Sequence, residues 1–112
     1  MNKLIGNFIQ PEARVLDLGC GDGSLLAFLR KNNQVRGLGL EIDHQKIQDC
    51  LQKDVNVIDQ DIDSGLSNFQ DQSFDAVIMS QSIQALRKPE VALEEITRLG
   101  KEAIISIPIF AT

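Results

Sequence analysis

The sequence has few of the residues that form metal sites and disulfide frameworks. Its 112 residues include two cysteines, Cys20 and Cys50, and a single histidine, His44. The cysteines lie thirty positions apart without CxxC spacing or neighbouring histidines. We therefore predict neither a metal site nor a disulfide framework. Thiols used this sparingly are typical of a reducing compartment, and we expect the protein to be cytoplasmic.

Basic charge and long apolar runs are also scarce. Sixteen acidic residues stand against eleven basic ones, which gives a net charge of −5, and the charges are scattered along the chain. A nucleic-acid partner would require a basic stripe, so none is expected. The first ten residues place Leu4, Ile5, Phe8 and Ile9 at helical spacing, but they form no signal-peptide core, and no stretch approaches transmembrane length. We expect no membrane association.

What the sequence does contain is a regular alternation of strand-like and helix-like segments. This alternation predicts one α/β domain over residues 1–112, with a mostly parallel sheet and helices on both faces. The predicted strands are RVLDL from Arg14, VRGLGL from Val35, VNVID from Val55, DAVIMS from Asp75 and EAIISIP from Glu102. The predicted helices are SLLAFLRKNN from Ser24, HQKIQDCLQK from His44 and PEVALEEITRL from Pro89, in addition to a short first helix.

Several side chains have an expected place within these elements. Asp43 is a good N-cap for the second of these helices, and Gly100 is expected to end the Pro89 helix. The inward-facing residues are predicted to be Leu25, Leu26, Phe28 and Leu29 on the Ser24 helix, and Ile47, Cys50 and Leu51 on the His44 helix.

In an open parallel sheet, ligands bind beyond the carboxyl ends of the strands. The residues to consider are therefore the turn from Gly19 to Gly23, Glu41, Asp61, and the pair Ser80 and Gln81. The glycine turn leads directly into a helix, so its backbone can approach a ligand while helix N–H groups point at an anion. Asp17 precedes the glycines by two residues, near enough to place negative charge close to a cationic ligand.

The two acidic residues after strands two and three favour a nucleoside. Glu41 can accept hydrogen bonds from both ribose hydroxyls and would repel a 2′-phosphate, which disfavours NADP. Asp61 can accept from an adenine amine, with the Ile62 N–H beside it. The nicotinamide fingerprint GxGxxG requires glycine at position 24, where Ser24 stands, so a nicotinamide-dependent dehydrogenase is disfavoured.

These segments resemble the motifs of S-adenosylmethionine-dependent methyltransferases with the Rossmann-like fold. VLDLGCGDGSLL resembles the first motif, GLEID the acidic second, and QDID and DQSFDAVIMSQSIQAL the third and fourth. The resemblance implies a three-layer α/β/α sandwich with strand order 3-2-1-4-5. By analogy, Asp17, Gly19 and Gly21 would contact the methionine part of the ligand, Glu41 the ribose, Asp61 and Ile62 the adenine, and Ser80 the sulfonium side. Cys20 and Ile42 complete the candidate cofactor-binding set.

More narrowly, RVLDLGCGDGSLL, RGLGLEID, VNVIDQDIDSGL, FQDQSFDAVIMSQSIQAL and GKEAIISIPIF resemble the methionine biosynthesis protein MetW family. The resemblance implies binding of S-adenosylmethionine or S-adenosylhomocysteine and a role alongside homoserine O-acetyltransferase. The methyl acceptor is not evident. Methyl transfer requires mainly orientation, so the lack of an obvious catalytic base does not exclude it. The alternative hypothesis is a non-catalytic subunit that regulates or stabilises the acetyltransferase.

Domains of this kind normally continue past strand five into an antiparallel hairpin, and we expect this sequence to lack that hairpin. The apolar segment EAIISIPIF would then be an exposed sheet edge, which natural proteins usually cover or pair. We therefore expect that the chain is part of a longer protein or dimerises through this edge.

The remaining polar and sulfur-containing residues have simpler interpretations. Cys20 is expected to be a small residue in a tight turn rather than a nucleophile, and His44 an exposed residue at a helix start. Met79 is expected in the core, and Asp75 is expected to fix the turn before strand four. On the Pro89 helix, Glu94, Glu95 and Arg98 are predicted to form a solvated face with Glu94 paired to Arg98.

Overall fold

The computed structural model describes residues 2–80 and 85–106. Five parallel strands form one sheet in the order β3-β2-β1-β4-β5, with helices on both faces. The elements are α1 (Asn2–Gly6), β1 (Arg14–Leu18), α2 (Ser24–Asn33), β2 (Arg36–Glu41), α3 (His44–Gln52), β3 (Val57–Asp59), a 3₁₀ turn (Ile62–Ser64), β4 (Phe74–Ser80), α4 (Pro89–Leu99) and β5 (Gly100–Ser106). The Rossmann-like sandwich and its strand order are as predicted.

Strand β1 has its predicted bounds, and the other strands differ from the predicted ones by one or two residues. Strand β2 begins at Arg36 and includes Glu41, and β3 is confined to Val57–Asp59. Strand β5 begins at Gly100, directly after α4 and two residues earlier than predicted. The predicted end of strand five, with Ile107 and Pro108, lies outside the described residues, as does Gln81.

The helices agree closely with the sequence pattern. Helix α2 spans Ser24–Asn33 and α4 spans Pro89–Leu99, both as predicted. Asp43 caps α3, because its carboxylate accepts hydrogen bonds from the N–H groups of Gln45 and Lys46. Gly100 follows α4 in an extended conformation (φ −111°). An added Cβ at Gly100 would lie 2.8 Å from the Glu102 carbonyl oxygen and from a Val77 methyl group.

Two apolar clusters lie on opposite faces of the sheet. On one face, α1, α2 and α3 cover the sheet, and Val15, Leu26, Leu29, Cys50 and Ile78 are among the buried residues. On the other face, α4 covers residues of β1 and β4. Leu40, Leu66 and the fully buried Met79 belong to this second cluster. The alternation of side chains along β1 therefore supplies both clusters.

Two of the predicted side-chain positions are wrong. Leu51 is 59% exposed, because it follows the buried Cys50 on α3 and lies on the next, outward face of the helix. Arg98 pairs with Glu95 and Asp71 rather than with Glu94.

Asp75 joins three strands rather than fixing a turn. Its carboxylate accepts the Arg14 N–H at 2.8 Å and pairs with Lys101 at 3.5 Å, so it connects β4 to β1 and β5. The Arg14 N–H lowers the pKa of Asp75. No helix in residues 2–80 and 85–106 is long and apolar enough to cross a membrane.

Candidate functional site

A cavity of about 710 Å³ opens at the carboxyl ends of β1, β2, β3 and β4. Because the strands are parallel and in register, Leu18 and Leu40 lie side by side, and Glu41 pairs with Asp59 of β3. The loops that follow these strands therefore meet at one edge of the sheet. The lining residues are Gly19, Cys20, Gly21, Leu40, Glu41, Ile42, Lys46, Gln60, Asp61, Ile62, Asp63, Ser80, Ala85, Leu86 and Arg87.

The turn between β1 and α2 depends on glycine at its inner positions. Gly21 has φ +59° and Gly23 has φ +84°, a region in which other residues are strained. A Cβ added at Gly21 would have open space within 4 Å, whereas one at Gly23 would lie 3.0 Å from the Cys50 sulfur. Gly21 therefore exposes its backbone toward the cavity, and Gly23 allows α2 to begin close against α3.

Glu41 holds this turn in place. Its Oε1 accepts the Gly21 N–H at 2.8 Å, and its Oε2 accepts the N–H groups of Ile42 and Asp43 at 3.1 Å each. The carboxylate is half-buried and lines the cavity. The last residue of β2 therefore fixes both the glycine turn and the start of the loop leading to α3.

Asp17 lies beneath the glycine turn and is not one of the residues that line the cavity. It is 2% exposed, and its Oδ1 has no hydrogen-bond partner among the residues that the structure describes. Burial, and then the negative charge of Glu41, raise the pKa of Asp17 to about 7. This carboxyl is therefore neutral or charged according to small changes in its surroundings near neutral pH.

The loop after β3 brings Asp61 and Ile62 to the opposite side of the cavity. Asp61 Oδ1 accepts the Asp63 N–H at 2.9 Å and so caps the 3₁₀ turn. The Gln60 and Asn68 side chains exchange two hydrogen bonds at 2.9 Å, which close the loop on itself. The Asp61 side chain is thus oriented at the cavity by its own loop.

The structure places eight of the nine predicted site residues in the cavity lining. Ser80, the last residue of β4, lines the cavity, and Ile42 is 57% exposed beside Glu41. Asp17, the ninth, supports the cavity from below.

Cys20 and Cys50 pack together behind the glycine turn. Their sulfurs are 3.7 Å apart, and both thiols are free. Burial is the main cause that raises the pKa of each thiol, and for Cys20 the neighbouring Cys50 adds to it. Both residues therefore behave as buried thiols rather than nucleophiles, as expected for Cys20. The side chain of His44 is 84% exposed and pairs with Asp59, outside the cavity.

Several lining residues were missed in the sequence. The loop before α4 supplies Ala85, Leu86 and Arg87, and the first turn of α3 supplies Lys46. The strand-end rule points to the loop after β4, but it does not show how far along that loop the cavity extends. Asp63 was also missed, although the acidic repeat Asp61-x-Asp63 directly after β3 is a visible signal.

The lining combines an exposed glycine backbone, three carboxylates and two cations. Carboxylates that accept hydrogen bonds suit a ligand with hydroxyl and amine donors, while the apolar side chains of Leu40, Ile62 and Leu86 suit a flat ring between them. The volume is in the range of small-molecule sites. No cluster of metal-ligating residues was found in the described part of the chain.

Comparison with known proteins gives a consistent result. The family model for the methionine biosynthesis protein MetW matches residues 2–112. The bifunctional methionine biosynthesis protein MetXA/MetW of Rhodopirellula baltica is 38% identical over 111 residues, which cover 92% of this chain and 18% of that protein. The chain thus spans about a fifth of the length of this curated relative.

Solved structures share the fold. One, a complex between the Haloferax volcanii Trm112 methyltransferase activator and a candidate methyltransferase, matches with a TM-score of 0.75 and 31% identity over 83% of this chain and 42% of that one. Another, a TehB-like S-adenosylmethionine-dependent methyltransferase of Corynebacterium glutamicum, matches with a TM-score of 0.76 and 25% identity over 93% of this chain and 59% of that one. The chain has the methyltransferase fold and belongs to the methionine biosynthesis protein MetW family.

Proposed function

We propose that the chain binds S-adenosylmethionine or S-adenosylhomocysteine in this cavity and acts in methionine biosynthesis. The observation that supports this most is the convergence of Gly21, Glu41 and Asp61 on a single cavity, each from the loop or strand end where a methyltransferase fold receives its nucleoside. We further propose a cytoplasmic location, in keeping with a biosynthetic role.

The residues present suit an adenosine ligand. A carboxylate can accept about four hydrogen bonds, and Glu41 uses three of them for backbone N–H groups. One ribose hydroxyl would donate to the remaining acceptor position of Glu41. The second would replace one of the two 3.1 Å hydrogen bonds from the Ile42 and Asp43 N–H groups. Asp61 uses one oxygen for the Asp63 N–H, which leaves the other for an adenine amine. The Ile62 side chain would then lie against the ring.

The opposite end of the cavity suits an amino acid moiety. Helix α2 begins at Ser24, and its N-cap Gly23 has no capping side chain. The Ser24 N–H donates to Asp22 Oδ1, so the later N–H groups of the first turn are the ones that can face a ligand carboxylate. When it is ionised, the buried Asp17 carboxyl beneath the turn would place negative charge near an ammonium or sulfonium group. S-adenosylmethionine carries both kinds of cation, and S-adenosylhomocysteine carries the ammonium alone.

Equilibrium titration of the wild-type chain tests this proposal. Calorimetry should detect binding of S-adenosylmethionine and S-adenosylhomocysteine at one site, and NAD should not displace either. If the folded wild-type chain bound neither nucleoside, the proposal would be contradicted. Displacement by NAD would instead favour a nicotinamide-binding protein.

A second role is favoured by the joining of MetXA and MetW in one bifunctional relative. We propose that this chain associates with homoserine O-acetyltransferase, the partner that the sequence resemblance implies, and changes its activity according to the bound nucleoside. Among the described residues that line the cavity there is no histidine, and the pKa of the Cys20 thiol is raised, so the site suits binding better than acid–base chemistry.

The two roles are separable by experiment. Co-purification with the acetyltransferase, together with a change of its rate on nucleoside addition and no consumption of methyl donor, would support the regulatory role. An acetyltransferase rate that is the same with and without the chain would contradict it.

A further inference from the structure

We propose that Asp63 is a positioning residue that joins the two walls of the cavity at its adenosine end. The inference rests on the proposed function, because it assigns a role to Asp63 in holding that site together. One wall is the 3₁₀ turn after β3, and the other is the segment Ala85–Lys88 before α4.

The first wall is fixed through the Asp63 main chain. Its N–H donates to Asp61 Oδ1 at 2.9 Å, and the Ser64 N–H donates to the Asp61 carbonyl oxygen at 3.1 Å. The orientation of the Asp61 carboxylate at the cavity therefore depends on the position of the Asp63 backbone.

The second wall is fixed through the Asp63 side chain. The Arg87 N–H donates to Oδ1 and Oδ2 of Asp63 at 3.2 Å each, across a separation of 24 residues. The Lys88 N–H also faces this carboxylate. Because Leu86 and Arg87 line the cavity, these bonds set the distance between Leu86 and the Asp61 side of the site.

The Asp63 carboxylate is well suited to this contact. Its side chain is 12% exposed, and the Arg87 N–H lowers its pKa, so that it is charged at neutral pH. Hydrogen bonds from N–H groups to a charged carboxylate are stronger than those between neutral groups.

The Arg87 guanidinium contributes less than its main chain. Its Nε is 3.4 Å from Asp63 Oδ2, and the Arg87 side chain is 77% exposed. Exposed ion pairs of this kind are weak. The connection between the walls therefore depends on the Arg87 backbone, which gives the proposal a specific test.

The test compares four variants in titrations with adenosine and with S-adenosylhomocysteine. D63A should lower the affinity for both ligands by a common factor of about ten or more, because both share the adenosine part. D63N should recover part of that loss, since its amide oxygen still accepts the Arg87 N–H. R87A shortens a side chain of the cavity lining but retains the backbone N–H that binds Asp63, so it should lose less affinity than D63A.

D71N is the matched control. Asp71 also pairs with an arginine, Arg98, but it lies outside the cavity, so D71N should leave the affinity unchanged. Thermal unfolding of each variant establishes that the protein is folded at the titration temperature. Hydrogen exchange should show faster exchange of the Arg87 and Lys88 amides in D63A than in R87A.

Three results would overturn the proposal. They are wild-type affinity in folded D63A, a loss in R87A as large as that in D63A, and unchanged exchange at Arg87 and Lys88 in D63A. A wild-type chain that binds neither ligand would overturn the proposed function itself, together with this inference.

Discussion

At the scale of single residues, Asp17 has the most unusual environment in the described part of the chain. The sequence indicates negative charge near a cationic ligand, whereas the structure buries this carboxyl to 2% exposure with one unpartnered oxygen. Burial disfavours the charged form, and the nearby Glu41 adds repulsion. The carboxyl is therefore kept at a cost to stability whenever it is ionised.

This cost predicts a specific pH dependence. The pKa of Asp17 is about 7 in the folded protein against 3.8 ordinarily, so between about pH 4 and 7 the folded state retains a proton that the unfolded state has released. The contribution of Asp17 to the free energy of unfolding is therefore largest below pH 4 and falls as the pH rises to 7. At about 1.4 kcal/mol per pKa unit, the fall amounts to a few kcal/mol.

Asp17→Asn should remove this pH-dependent decrease in the free energy of unfolding. Urea unfolding at pH 5 and pH 8 should show that the variant loses less stability than the wild type between the two values. Glu94→Gln, at an exposed position on α4, serves as the control and should behave like the wild type. An equal loss in Asp17→Asn and wild type would contradict the assigned environment.

Gly21 allows a second residue-scale prediction. Gly21→Ala places a side chain at φ +59°, which should cost about 1–2 kcal/mol of stability, and places a methyl group beside the ligand. Gly65→Ala is a matched control, because Gly65 has φ +96°, has open space around an added Cβ and lies outside the cavity lining. Both variants should show lower unfolding midpoints, while only Gly21→Ala should lose nucleoside affinity in calorimetry. Equal affinities in the two variants would contradict the placement of Gly21 at the ligand.

At the scale of elements, hydrogen bonds from Arg98 hold α4 against the loop that precedes β4. The Arg98 guanidinium donates to the carbonyl oxygens of Leu66 and Phe69 and to the carboxylates of Glu95 and Asp71. Helical spacing alone makes Glu94 and Glu95 almost equivalent partners for Arg98. The loop carbonyls decide between them, because they draw the guanidinium toward the side of α4 on which Glu95 lies.

On α4, we predict that Glu95 contributes more to the free energy of unfolding than the neighbouring Glu94. Glu95→Ala should lower the free energy of unfolding by about 1 kcal/mol, because it removes hydrogen bonds of 2.8 and 2.9 Å to Arg98. Glu94→Ala should change it by less than about 0.5 kcal/mol, as for most surface positions. Urea unfolding at pH 7 measures both values. A larger effect at Glu94 would contradict the observed pairing.

The sequence predicted the helices better than the ends of the strands. Helices α2 and α4 have amphipathic spacing and clear starts, at the glycine turn and at Pro89, so local signals define their bounds. The start of β5 has no such local signal. Gly100 belongs to the strand because it pairs with Phe74 of β4, a contact between residues distant in the sequence.

At the scale of the whole molecule, the site forms because parallel strands deliver their following loops to one edge. This rule was sufficient to find Gly19, Gly21, Glu41, Asp61 and Ser80 from the sequence, since each lies at or just after a strand end. It could not identify Asp63, whose role depends on the meeting of two loops, nor the burial of Asp17 under the glycine turn. Contacts across the fold decide both.

We propose that the cavity binds an adenosine-containing ligand through Glu41. Calorimetric titration of S-adenosylhomocysteine into the wild type, Glu41→Ala and Asp59→Ala tests it most directly. Asp59 of β3 is the neighbour of Glu41 of β2 in the sheet. Its side chain pairs with His44, and neither Asp59 nor His44 lines the cavity. We expect binding by the wild type and Asp59→Ala, and a loss of about tenfold or more in folded Glu41→Ala. Equal affinities in Glu41→Ala and Asp59→Ala, or no binding by the folded wild type, would contradict it.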